Sequence, residues 1–331
     1  MYGTLSETMT QDSKQWEPAP LPGPTTSSSA SAAPSQPPSS PSQTQPEAEL
    51  DTTQDDFDYC SHLVRRFDRD RYLSAQFAPK GLRGALLGLY ALNVELGLIR
   101  ENVTDPHFGE MRLQWWRDTV SQIFRAEPLD NPVARALSDA VMVGRLSKEG
   151  LLNMIEARTF DLYNDPMPAM HDLEGYLGET SSAIILMASQ VLTHGEESAC
   201  ADAAGYAGIA YGLTGIMRSL AHHIAQGQCY LPGDVLTRWE LTPETLKDGR
   251  DALPLMVRSL CTHVSKRQQE ARVRLSTVPT QAIPAFLPTS LVDLYLPKIR
   301  TAGPKLIQQV PEVAQFRRQW HMLRCAMRED F

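Results

Sequence analysis

Residues 212–234 read GLTGIMRSLAHHIAQGQCYLPGD. The first part has the residue types of a helix, and Gly227 and Pro232 mark a tight loop that follows it. Four residues separate Ser219 from His223, so the two share one helical face, with Arg218 beside them. Two aspartates at that spacing would hold Mg²⁺ against a diphosphate, because Mg²⁺ is bound by one or two carboxylates plus substrate phosphates. This segment keeps an arginine and a loop, yet has no carboxylate before Asp234. It is either a catalyst or the shell of one.

Helical periodicity extends outward from this stretch. Leu82, Ala85, Leu86, Leu89, Leu92 and Leu96 recur at helical spacing, as do Leu113, Trp116, Val120 and Phe124. Further helices are expected over about 132–146, 148–163, 172–193, 198–226, 251–277 and 305–328. Breakers stand at Asp105-Pro106, Asn131-Pro132, Asp165-Pro166, His194-Gly195, Leu231-Pro232 and Ile283-Pro284. Strand and helix patterns do not alternate, and there is no glycine-rich phosphate loop. The expected fold is an all-α single domain over residues 57–331. Residues 1–56 are rich in Ser, Pro, Gln and Thr and hold too little apolar surface to offset their ordering entropy. They are expected to be a disordered tail.

Composition narrows the function. The 331-residue chain carries a formal net charge of −8, which argues against nucleic acid as the partner. The five cysteines are scattered and lack CxxC spacing, so they read as reduced thiols and not as a zinc site. Lys14 is the only basic residue before Arg65, and no apolar run opens the chain, so neither a signal peptide nor a presequence is expected. No stretch has the roughly 20 uninterrupted apolar residues of a transmembrane helix. These features predict a cytoplasmic protein, with any membrane contact peripheral.

Two helices are candidates for one site: the first carries Asn93, Glu95, Arg100 and Glu101, the second Arg218, Ser219, His222 and His223. Facing helices can build a cofactor site from inward side chains, although a solvated helix face is the plainer reading of Glu95 and Glu101. His222 and His223 point about 100° apart, and neither HExxH nor a third nearby ligand accompanies them. No metal site is expected from this pair. The run Arg65, Arg66, Arg69, Arg71, Lys80 and Arg83 reads either as an anion site, since arginine fits phosphate bidentately, or as a solvated face beside Asp68 and Asp70. Arg158 and Asp161, three apart, read as an intrahelical pair.

Taken in order, several segments resemble the squalene and phytoene synthases. They are Tyr59-Cys60, Arg71-Tyr72-Leu73, Leu89 to Asn93, Arg112 to Arg117, Arg158 to Tyr163, and Arg218 followed by Gly227 to Asp234. The resemblance implies an isoprenoid synthase-type helical bundle. Active members join two prenyl diphosphates head to head with Mg²⁺ held by two aspartate-rich motifs. The first motif, of DDxxD type, falls here on Gly97-Leu98-Ile99-Arg100-Glu101. The second, of QxxNxxRDxxxD type, falls on Gly212, Gly215, Arg218, Ser219 and His223. Only Glu101 and Arg218 keep the family's chemistry there, so Glu101, Ser219 and His223 are degenerate motif positions and no residue receives a catalytic role. Losing about 4–7 kcal/mol of metal stabilisation slows a reaction roughly 10³–10⁵-fold.

The resemblance therefore points to a branch of the family described as respiratory complex I assembly factors. It implies substrate-type contacts from Arg83, Arg218 and Tyr230, a prenyl diphosphate or other isoprenoid or lipid ligand, and a protein partner. It implies no cofactor. With no presequence expected, a bacterial-type protein is the easier reading, cytoplasmic and with any membrane contact a peripheral one at the inner face. The alternative, an active head-to-head prenyltransferase, would require Mg²⁺.

Overall fold

In a computed structural model of the chain, residues 53–196, 199–247 and 251–328 are described, and every regular element among them is helical. The tail expected at 1–56 lies outside the described residues up to position 52. The boundary itself moves. Thr53 caps a helix starting at Gln54: its hydroxyl accepts the Asp56 N–H at 3.3 Å, while Asp56 accepts the Thr53 N–H at 3.0 Å. These polar residues share the tail's composition, which hides the cap they form.

The helices are α1 (Gln54–Phe67), α2 (Arg69–Ala75), α3 (Arg83–Leu98), α4 (Pro106–Phe124), α5 (Pro132–Gly144), α6 (Lys148–Ala157), α7 (Thr159–Leu162) and α8 (Met170–Leu177). A π-helical segment, Gly178–Ser182, joins α8 to α9 (Ala183–Thr193). Then come α10 (Ala201–Arg218), α11 (Leu220–Ala225), α12 (Gly233–Arg238), α13 (Ala252–Leu275), α14 (Ile283–Phe286), α15 (Val292–Ala302) and α16 (Gln315–Arg328).

Asp105 and Asn131 cap α4 and α5, and the prolines that follow sit in the first turn, where a missing N–H breaks no helical bond. Pro284 does the same at the start of α14, so the Ile283-Pro284 break opens a helix. The segment expected to run helical from 305 to 328 is instead a 3₁₀ turn, Gly303–Ile307, then irregular chain around Pro311, then α16. Proline and its restriction of the preceding residue account for that gap. The helix expected over 198–226 is likewise broken, at Ser219.

Packing places the site. α10 runs along α13, α3 lies against α1 and α5, and α9 packs on both α3 and α5. Leu213, Met217 and Leu220 join Leu253, Met256, Val257, Leu260 and Val264 in one buried cluster. That cluster fixes one side of α10, and the opposite side is left facing the end of α3. All five cysteines are free, and no helix among the described residues is long and apolar enough to cross a membrane.

Candidate functional site

Between the end of α3, α7, the π-helical segment and α10–α11 lies a cavity of about 260 Å³. Gly97, Glu101, Ser219 and His223 stand in its lining, with Tyr176 and Tyr230. A deeper chamber of about 170 Å³ is lined by Arg71, Asn93, Tyr211, Arg218 and Tyr295. Arg158, Thr180, Ser181, Gly212 and Gly215 line both. The two motif segments therefore do face one another across one space.

A buried polar network forms the shared wall. Asp161 Oδ1 accepts hydrogen bonds from Tyr176 Oη at 2.7 Å and Tyr230 Oη at 2.8 Å. Arg158 Nη1 donates to Asp161 Oδ2 and to Tyr176 Oη, each at 3.2 Å, and Nη2 reaches Asn93 Oδ1 at 3.2 Å. Burial, and after it the Asp161 charge, pushes both tyrosines well above their ordinary range, so they stay protonated donors. Burial opposes the charge of Arg158, but Tyr176 and Asp161 outweigh it and keep the guanidinium cationic. Gln228 Nε2 donates to the Asp161 carbonyl at 2.8 Å, which clamps the Gly227–Asp234 loop onto α7. Gly227 makes that turn at φ +74°, a conformation few side chains adopt.

The deeper chamber is lined by guanidinium groups, two of which are paired with carboxylates. Arg71 is buried, pairs with Asp68 at 2.5 Å, and lies over the Tyr211 ring at 5.3 Å. Arg218 lies over the Tyr295 ring at 4.6 Å. Among the described residues, three arginines and no carboxylate line this chamber. Such a set of donors suits an anion.

At the mouth, Glu101 Oε1 stands 3.7 Å from His222 Nε2, both half exposed. The His223 ring packs on Tyr230 with centroids 4.8 Å apart. Burial first, then the neighbouring His222, pushes His223 down to about 4, so at neutral pH it is uncharged. Its Nδ1 and the Nε of Arg100 are buried with no hydrogen-bond partner in the protein. The donor set here is the Glu101 carboxylate, a second carboxylate, Asp161, already held by Arg158, Tyr176 and Tyr230, two imidazoles, a hydroxyl and guanidinium groups. It does not fit Mg²⁺, which demands oxygen ligands in near-octahedral array. Among the described residues no group of three or more His, Cys, Asp or Glu could hold a metal ion.

The structure thus brings together Glu101, Arg218, Ser219, His223 and Tyr230. Arg83 is not with them. Its Nε and Nη2 donate to the carbonyls of Ala78 and Gln76 at 2.9 and 2.7 Å, holding the turn before α3, and it lines neither chamber. Arg71, from the same basic run, takes the inward place. Glu95 is also elsewhere, half-buried near Arg112, with burial raising its carboxyl to about 7. Spacing alone gives Arg158 and Asp161 no place in the site, and Tyr176 no link to them. The i,i+3 pair was visible, but nothing in the spacing showed that it was buried or shared with two tyrosines.

Comparison with known proteins gives the same family. The squalene/phytoene synthase profile matches residues 64–324. A rat protein named NADH dehydrogenase (ubiquinone) complex I, assembly factor 6, is 32% identical over 249 residues, covering 73% of each chain. A dehydrosqualene synthase crystallised with ligand superposes with a TM-score of 0.74 at 20% identity, over 83% of this chain and 97% of that one. Squalene synthase HpnC from Alicyclobacillus acidocaldarius superposes with a TM-score of 0.67 at 20% identity, over 75% and 94%. The fold is the expected all-α isoprenoid synthase-type bundle, and the chain belongs to the squalene/phytoene synthase family.

Proposed function

We propose that this protein is a non-condensing member of its family that works by binding, as an assembly-type factor for a respiratory NADH dehydrogenase. One observation carries the reading. Of the two facing motif segments, only Glu101 contributes a carboxylate, and it faces His222. The one other acid lining the mouth, Asp161, is engaged by Arg158, Tyr176 and Tyr230. Among the described residues that line the mouth, no pair of carboxylates is left to hold a metal against a leaving diphosphate. The rat relative's name supplies the assembly role and the class of protein partner. The arginine chamber supports an anionic ligand, such as a prenyl diphosphate or a lipid headgroup, held by side chains without Mg²⁺.

The rival, a head-to-head prenyltransferase, draws on the synthases that share the fold. It needs a second carboxylate within bridging reach of Glu101. Incubating the purified chain with farnesyl or geranylgeranyl diphosphate and Mg²⁺ separates the two. The expected result is intact substrate. Steady diphosphate release with squalene or phytoene formed would overturn the proposal. For the assembly role, a strain lacking the protein should show depleted NADH dehydrogenase complex on native gels, restored by the wild-type chain and by Glu101→Gln. A normal complex in the deletion strain would remove that part.

A further inference from the structure

Helix α16 buries one face and leaves a second apolar face in solvent. His321, Met322 and Cys325 are buried against the body, and Arg318 pairs with Asp70 at 2.7 Å. Phe316, Trp320, Leu323 and Met327 are 73, 59, 36 and 71% exposed. At about 100° per residue they fall in a stripe roughly 60° wide, roughly 180° around the helix from the buried one. A helix at a protein surface ordinarily carries one apolar stripe and turns it inward. Four large apolar side chains in a row on the outer side mark an interaction surface.

The charge around that stripe selects what covers it. Residues 315–328 contain four arginines and no acid, in a chain of net charge −8. Glu312 lies before the helix, and Glu329 and Asp330 follow it. Arg317 and Arg324 are exposed along one flank of the stripe. The Arg318–Asp70 pair also brings α16 to the start of α2, where the neighbouring Arg69 is exposed. A second copy docking on this face would set arginine against arginine, which like-charge repulsion disfavours. Aromatic and aliphatic side chains flanked by arginines are the chemistry of a helix lying in the headgroup region of an anionic bilayer. We propose that α16 docks the protein on an anionic lipid surface, with Phe316, Trp320, Leu323 and Met327 inserted and Arg317 and Arg324 on the headgroups. This surface is independent of the cavity and stands whether or not the cavity holds a ligand.

Sedimentation of the full chain with vesicles tests it. One set would be phosphatidylcholine alone, the other phosphatidylcholine and phosphatidylglycerol at about 3:1. The wild type should pellet with the anionic vesicles, stay in the supernatant with the neutral ones, and be released by high salt. Phe316→Ser/Trp320→Ser should weaken binding by about tenfold or more, and Arg317→Gln/Arg324→Gln should abolish the preference for anionic lipid. Unchanged helical circular dichroism would show that these exposed substitutions leave the fold intact. Wild type remaining in the supernatant with both vesicles overturns the proposal, as does a double serine variant that pellets like wild type. Equal pelleting with neutral vesicles overturns its electrostatic half. A dimer that Trp320→Ser converts to monomer, with no vesicle binding, assigns the face to a second copy instead.

Discussion

Burial moves His223 and Glu95 in opposite directions, because it penalises an imidazolium and a carboxylate alike. His223 falls from 6.5 to about 4, with His222 adding to burial and Asp161 opposing it. Between those values the unfolded chain takes up a proton that the native chain refuses. The stability tied to neutral His223 is therefore full above pH 6.5 and is lost as the pH falls to about 4. Glu95 rises from 4.5 to about 7 against the pull of Arg112, so its native carboxyl keeps a proton that the unfolded chain has released. Its contribution is full below pH 4.5 and is lost as the pH rises through about 7. Urea unfolding of His223→Gln and Glu95→Gln against wild type should separate the two. The His223→Gln difference should shift in the variant's favour as pH drops below 6.5, and the Glu95→Gln difference as pH rises above 4.5. Each should change by something on the order of 2 kcal/mol across its window. A pH-independent difference in either variant would show that its side chain titrates as it does in water.

At the level of elements, the site depends on how closely α10 meets the π-helical segment. A Cβ on Gly208 would lie 2.5 Å from the Ser182 backbone nitrogen, so the contact exists only because the residue is glycine. That contact holds Thr180 and Ser181 in the wall of the cavity. Gly208→Ala should cost about 1–3 kcal/mol, since backbone cannot step aside as a side-chain tip can. Gly97 and Gly215 have nothing within 4 Å of a built Cβ, and both are helical. Alanine at either should leave stability unchanged or raise it by up to about 1 kcal/mol. Denaturant midpoints for the three variants check the contrast, and a Gly208→Ala protein as stable as wild type would refute the close-packing argument. The same contrast explains what the sequence reveals of the elements. Asp105-Pro106 and Asn131-Pro132 mark helix starts because a cap and a first-turn proline act within a few residues. The π-helical segment and the helices over 283–302 were not readable, since distant packing decides them.

Over the whole molecule, fold and chemistry come apart along the same line in sequence and structure. The bundle was legible because its apolar spacing repeats through every long helix. Glu101, Ser219, His223 and Tyr230 reached the mouth, and Arg218 the chamber beside it. Arg83 did not, because its guanidinium has nearer carbonyls to satisfy. Arg158 and Asp161 were legible as a pair but not as the cavity wall, since burial is set by elements far away in sequence. The body is held by apolar packing and this buried network, so its stability should owe nothing to a divalent cation. Restoring carboxylates should then change metal response and little else. In the wild type, Mg²⁺ with inorganic diphosphate should leave the thermal midpoint where EDTA leaves it. Gly97→Asp/Ser219→Asp/His223→Asp would add three carboxylates to Glu101 around the mouth, in open space at position 97. A ligand that binds only the native state stabilises by mass action, about 2.7 kcal/mol at one hundred times its Kd. The triple variant's midpoint should therefore rise by several degrees with Mg²⁺ and diphosphate together, and less with either alone. An equal rise in the wild type would mean that Glu101 and its neighbours already bind the metal. The non-condensing assignment would then lose its physical basis.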